Sequence, residues 1–409
     1  MKYLYSFNSH SDFYNKGMVL EDDNVVLCKD TDINKWHGHY QHPPYDTEIE
    51  YLESTGTQYI DTGYKTNNQD NFQLICDVDA TSGWMGSNGN LQMDLRINPS
   101  PSRRVFKVTH SANSGPITYI NNTQVKSQSY HNYNNYIIAL FALGFGEDTV
   151  HYYDATEKLY SSKLIINNVI VRDLIPVRVG NVGYLFDKVS GQLFGNAGTG
   201  SFILGPDIKP IEYLQSSGTQ KIDTGINYNL TSKIKIEMET TIINENRCVL
   251  ISNYCDGNAA CISCEVGGTS NSHARTPRFY MSLTNKNTTS DTWAGVAVPL
   301  NTLNNVIFEY DKTTGKKRLT SQTTTNELVF TGNPYGTTQN LLLFLDHRAS
   351  PSAIAYGVRI GKVKIYINDN IVRYFIPVRV GSTGYMYDKV SGQLFGNAGT
   401  GTFTLGNDL

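Results

Sequence analysis

The sequence predicts an all-β protein: two tandem β-sandwiches of the jelly-roll type behind a short N-terminal element. Three observations carry this. The 409 residues include 35 Gly and 27 Tyr, are 11% aromatic and only 17% charged, a balance that suits strands and tight turns. Apolar residues alternate with polar ones at a period of two. Long stretches of the chain also occur twice.

The repeat sets the domain plan. IEYLESTGTQYIDTG at 49–63 returns as IEYLQSSGTQKIDTG at 211–225, identical at 12 of 15 positions with an offset of 162. Ile175–Asp207 returns as Ile376–Asp408, identical at 26 of 33 positions with an offset of 201. Two copies of one domain, 49–207 and 211–409, therefore fill most of the chain, and the second carries about 39 extra residues in its interior. Residues 208–210 form a short linker, and Pro206 and Pro210 at the joint limit its freedom. Residues 1–48 match neither copy and form a separate attachment element.

Within each copy the pattern is that of half-buried antiparallel strands. Phe72, Leu74, Cys76 and Val78 alternate with Gln73, Ile75, Asp77 and Asp79. Ile234, Ile236 and Met238 alternate with Lys235, Glu237 and Glu239 in the second copy. A second pair of strands, Lys163–Asn167 and Lys364–Asn368, runs into the turn residues Asn167-Asn168 and Asn368-Asp369-Asn370. Many short strands with turn signals and without βαβ units specify a sandwich.

The glycine-dense DKVSGQLFGNAGTG occurs at 187–200 and, letter for letter, at 388–401. A phosphate-binding loop would open a helix through Gly-Lys-Ser/Thr. Here Ser201-Phe202-Ile203-Leu204 and Thr402-Phe403-Thr404-Leu405 follow and read as strands, so the loop is turn chemistry, with Gly191 and Gly392 at the positive-φ position of a hairpin. Asp61 and Asp223, in the repeated Ile-Asp-Thr-Gly, are turn formers too.

Net charge of −3 leaves no basic footprint for nucleic acid. The opening MKYLYSFNSHSDFYNKG lacks an apolar h-region and is not read as a secretory signal, and no run of 18 apolar residues marks a membrane span. Six cysteines, Cys28, Cys76, Cys248, Cys255, Cys261 and Cys264, are too unevenly placed for a disulfide framework.

Candidate ligand residues are few. Trp84 and Trp293 stand in glycine-bearing segments read as loops, where an indole could stack under a sugar ring. The three histidines of Trp36-His37-Gly38-His39-Tyr40-Gln41-His42 could gather around a metal in an oligomer, or belong to a polar arm. Cys248, Cys255, Cys261 and Cys264 could converge on zinc, or pack as small apolar side chains. Paired carboxylates for glycoside hydrolysis, Glu237 with Glu239 or Asp77 with Asp79, read more simply as solvated strand faces. No catalytic residue and no cofactor is assigned.

The order EYLxSxGTQxIDTG, then KIYIxxxxxVRxFIPV, then GxxGYxYDxVSGxLFxNAGTGxFxLG resembles the LamG-like, concanavalin A-like jelly-roll domains of bacteriophage virion proteins, including those of crAss-like gut phages. The opening YSFNSHSDFYNKG with NVVLCKD also resembles short N-terminal modules of such proteins. The resemblance implies a non-enzymatic structural role on the particle surface after synthesis in the host cytoplasm. Residues 1–48 would dock on the capsid or another virion protein, and the sandwiches would project as a head fibre toward host-surface or mucus glycans. It also implies a homo-oligomer, dimer or trimer, since fibres are symmetric assemblies. The alternatives are a hydrolase that trims surface polysaccharide and a ligand-free architectural module of the tail.

Overall fold

The hairpin residues Asn167 and Asn168 show how locally this sequence writes its structure. Both adopt positive φ, 50° and 65°, the two-residue turn whose twist matches that of the flanking strands. It joins Glu157–Ile166 to Val169–Val179. Asn368 and Asp369 repeat it at 50° and 64° between Val358–Ile367 and Asn370–Val380.

In the computed structural model the described residues are 5–7, 25–29, 36–40, 43–97, 102–112, 114–129, 134–151, 156–228, 232–254, 261–268, 274–282, 289–293, 297–330, 339–347 and 358–409. Every regular element among them is a strand. The chain divides into two units, Met1–Gly205 and Pro206–Leu409. Near the N-terminus, Trp36–Tyr40 pairs antiparallel with Tyr5–Phe7 and with Val25–Lys29.

Each unit contains a large sheet with the same strand order. In the first unit it runs Thr123–Ser127, Ile117–Ile120, Arg104–His110, Phe72–Ala80, Glu157–Ile166, Val169–Val179, Val182–Asp187, Leu193–Phe194. In the second it runs Thr324–Val329, Lys316–Ser321, Leu303–Asp311, Ile234–Ile242, Val358–Ile367, Asn370–Val380, Thr383–Asp388, Gln393–Phe395. A six-stranded sheet accompanies each. In each unit the two sheets enclose a hydrophobic core, so the chain holds two β-sandwiches in succession. The period-two pattern decides which residues go inside: Leu74, Cys76 and Val78 are fully buried with Phe106, Met93 and Leu164, and Ile234, Ile236 and Met238 with Phe308, Cys264 and Phe279. Each large side chain so buried stabilises by about 2–3 kcal/mol.

The extra residues of the second copy have a definite place. Val78 pairs with Arg104 and Thr240 with Asn304, so the offset has risen from 162 to 200 between these strands. The inserted chain extends the small sheet by Pro277–Ser282 and Thr289–Trp293, which follow Cys261–Val266. Ile208–Pro210, read from the sequence as linker, is a strand on Asn370–Val380. Thr47–Glu48, read as part of the attachment element, makes the same pairing with Val169–Val179. The physical reason is that each long strand has open hydrogen-bonding groups there, which the incoming chain satisfies.

The two repeated motifs prove to be halves of one clasp. Asn196 Oδ1 accepts from the backbone N–H of Tyr59 (3.2 Å) and of Gly198 (2.9 Å), while Ala197 N–H donates to Tyr59 O and Thr199 N–H to Thr57 O. Asn397 repeats this with Lys221 and Gly399. These backbone donors are spent on the chain itself, in keeping with turn chemistry.

Candidate functional site

Register identifies a position shared by the two small sheets. Asp61 pairs with Ala139, which pairs with Gly86, which pairs with Gln92. Asp223, the repeat of Asp61, pairs with Leu342, which pairs with Ser252, which pairs with Ser263. Gln92 and Ser263 are therefore equivalent, and two residues on, so are Asp94 and Glu265. Their neighbours Met93 and Cys264 belong to the cores, so by alternation Asp94 and Glu265 lie on the opposite face of the small sheet.

Both acids are buried and clamped by two cations. Asp94 is 5% exposed. It accepts from Arg96 Nε at 2.9 Å and Nη2 at 3.2 Å, and from Lys126 Nζ at 3.2 Å. Burial alone would push its carboxyl up, but the hydrogen bonds from Arg96 and Lys126 outweigh burial and hold it below the usual carboxylate range. Glu265 is 1% exposed. Its Oε2 accepts from Arg247 Nε at 2.9 Å and its Oε1 from Arg278 Nη1.

Aromatic rings stand beside both clamps. In the first unit Trp84, paired with Asp94, carries the Arg96 guanidinium over its ring at 4.3 Å and the Lys126 ammonium at 5.9 Å. In the second, Val249 takes the pairing position and the rings come from elsewhere. Arg278 lies over Tyr280 at 5.0 Å, and Tyr254 meets Tyr280 edge-on at 5.9 Å. Arg247, Tyr254, Ser263, Glu265, Arg278 and Tyr280 line a recess of about 180 Å³. Ser263, 3% exposed, has a buried Oγ without a hydrogen-bond partner.

Trp84 lies in the strand Trp84–Ser87 and is 8% exposed, so the loop reading is corrected: pairing with Leu91–Asp94 draws the segment into the small sheet. Trp293 ends the strand Thr289–Trp293, again not a loop, and its backbone stands opposite Arg278. His37 and His39 lie in Trp36–Tyr40, and His42 lies outside the described residues. Cys248 and Cys264 are buried in the core, where burial pushes the Cys248 thiol up to about 12 and the Cys264 thiol well above its ordinary value. Cys255 lies outside the described residues, as does the Cys261 side chain. Among the described residues no group of three His, Cys, Asp or Glu side chains could hold a metal ion.

The carboxylate pairs are engaged elsewhere. Glu237 meets Lys235 at 2.8 Å and the Tyr366 hydroxyl at 3.3 Å. Glu239 accepts the Lys362 N–H at 3.1 Å. Asp77 is held at both oxygens by Arg103, at 3.0 and 2.8 Å. None of them lines the recess. Asp61 and Asp223 lie within the strands Ile60–Lys65 and Ile222–Asn227, not in turns, and accept from Gly63 and Gly225 N–H at 2.8 and 2.9 Å, where the positive φ of each glycine accompanies an irregularity in the pairing.

Arg247, Tyr254, Ser263, Glu265, Arg278 and Tyr280 belong to no motif that marks them in the sequence. The one available signal was the insertion itself, since extra chain confined to one copy marks where the copies differ in surface.

No protein-family model and no curated protein matches the chain. Among solved structures, mouse laminin α1 domains LG4–5 are similar over 81% of this chain and 93% of theirs, at 9% identity and a TM-score of 0.29. A putative carbohydrate-binding protein of Bacteroides ovatus is similar over 90% and 94%, at 8% identity and 0.35. A heptameric SAP-like pentraxin of Limulus polyphemus is similar over 41% and 78%, at 11% identity and 0.28. These values supply no residue-by-residue correspondence.

Proposed function

We propose that the chain is a virion surface protein, a head fibre or similar capsid appendage, whose two sandwiches grip glycans through the clamped face of their small sheets. One observation carries the glycan reading: both units keep a buried acid, two cations and aromatic rings together at one register position, although the local sequences Leu91–Arg96 and Ile262–Gly267 differ. Aromatic surface beside a few fixed polar groups is the general composition of a sugar site. The virion reading is supported by the resemblance of the repeated motifs, with residues 1–48 as the docking element and a dimer or trimer multiplying weak sites.

A glycan array probed with the full chain tests the first part. Binding that falls on Trp84→Ala and on Tyr280→Ala supports it, and silence across the array rejects it. Mass spectrometry of purified particles tests the second: absence of the chain from the particle rejects the appendage reading. Particles assembled with a chain lacking residues 1–48 test docking, which predicts loss of the chain from them.

A further inference from the structure

The recess of the second unit has a charge, and charge narrows the ligand. Two guanidinium groups, Arg247 and Arg278, face one carboxylate, Glu265. The cluster as a whole is cationic. Glu265 is fully buried and spends its oxygens on the two arginines, whereas the arginine side chains remain 29% and 21% exposed. The carboxylate thus holds both guanidinium groups in place where they line the recess. An arginine held in this way is pre-organised to take a second planar anion through paired N–H donors.

Two further features separate the recess from a surface ion pair. Ser263 Oγ lines it, buried and without a protein partner. A buried hydroxyl costs free energy unless something bonds to it, so Ser263 Oγ is open to a ligand atom entering the recess. Tyr254 and Tyr280 form an aromatic wall whose rings meet edge-on, which suits the apolar face of a pyranose. At about 180 Å³ the recess is smaller than the ~300 Å³ at which drug-sized pockets begin. It fits one terminal residue and not an oligosaccharide.

We infer that the recess binds the carboxylated end residue of an acidic glycan, a uronate or a sialate, with Arg247 and Arg278 on the carboxylate, Ser263 on a ring or glycerol hydroxyl and Tyr280 beneath the ring. This rests on the glycan reading above and adds the ligand class.

The test is calorimetric titration of the full-length protein with glucuronate and N-acetylneuraminate, with glucose and galactose as neutral counterparts and acetate as the bare anion. The acids are expected to bind at least about tenfold tighter than the neutral sugars and than acetate, and the preference is expected to shrink with salt. Arg278→Gln, which leaves Arg247 on Glu265, and Ser263→Ala, which removes one oxygen without touching the core, are each expected to weaken acid binding about tenfold. Equal affinity for glucose and glucuronate overturns the acidic class and leaves the glycan reading standing. Acetate binding as tightly as glucuronate overturns it in favour of a plain anion site. Glucuronate binding unchanged in both variants overturns the location, and failure of every sugar together with a silent array removes both readings.

Discussion

Glu265 occupies in the second sandwich the register position that Asp94 holds in the first, and each is gripped by two cations. The cations do not correspond. Arg96 stands two residues from Asp94 on the same chain segment, and Lys126 reaches over from an edge strand of the large sheet. Arg247 and Arg278 come from the two sides of Cys261–Val266, the second from a strand without a counterpart among the described residues of the first unit. The position is kept while the residues that serve it change. A buried charge with no partner would cost more than an apolar replacement, so each copy supplies its own pair of cations.

Removing the first of these acids has a pH signature. In Asp94→Asn the Arg96 and Lys126 hydrogen bonds lose their charged acceptor, and the first sandwich is expected to lose about 1–3 kcal/mol at neutral pH. The folded carboxyl lies below its ordinary value near 3.8, so its contribution is complete above that value and disappears as pH falls through the lower folded one. Urea midpoints of wild type and variant should differ at pH 7 and converge toward pH 3. A difference that persists unchanged at pH 3 refutes the assignment.

Glu157 gives the opposite sign. It is 1% exposed, its Oε2 has no hydrogen-bond partner, and burial raises its carboxyl well above the ordinary 4.5. It pairs with Ser54 and Ala80, and the second copy puts Val358 at that position, opposite Ser216 and Ile242. The folded state holds a proton that the unfolded state has released, so stability declines as pH rises from about 4.5 toward the folded value. Glu157→Val should therefore be more stable than wild type at pH 7, by about 1–2 kcal/mol, with the gain vanishing near pH 4. Thermal unfolding across that range measures it, and a variant less stable at pH 7 contradicts the account.

How much of this was legible depends on the range of the interaction. Phe72–Ala80 and Ile234–Ile242 announce themselves, because burial alternates along a single strand. The Asn167-Asn168 turn is equally local. Nothing local says that Thr47–Glu48 and Ile208–Pro210 would add to distant strands, since their pairing is set by open backbone groups far along the chain. The equivalence of Asp94 and Glu265 was hidden for a further reason: a bulge between Val249 and Ile251 shifts the second copy against the first, so aligned letters there are not aligned residues. Trp84 was visible as a residue type, but its place on a strand needed the register.

Asp388 is fully buried and accepts from the N–H groups of Tyr374 (2.8 Å), Val390 (3.2 Å) and Ser391 (3.3 Å) and from the Ser391 hydroxyl (2.7 Å). Asp187 makes the same set with Asp173, Val189 and Ser190. Asp388→Ala strands several buried donors at once and is expected to cost about 3 kcal/mol or more, given ~1–3 for each donor left unpaired. Asp388→Asn keeps an acceptor and should recover part of that. Chemical denaturation of the two variants decides it: equal losses would mean that the hydroxyl and amide bonds carry little.

The repeated loop allows a sharper comparison, because two of its glycines are there for different reasons. Gly191 has φ of +70° and open space where a Cβ would project, so Gly191→Ala suffers only the left-handed backbone penalty of about 1 kcal/mol. Gly198 is closed in by its partner motif: a Cβ there would stand 2.1 Å from Thr57 O, and at Gly399 it would stand 2.0 Å from Thr219 O. Since that oxygen is backbone and accepts the clasp's own hydrogen bond from Thr199, Gly198→Ala must open the clasp. Its cost should exceed that of Gly191→Ala by at least about 2 kcal/mol, and amide exchange at Ala197 and Thr199 should accelerate in that variant alone. If the two alanine variants melt together, the clasp is not what the repeated motif preserves.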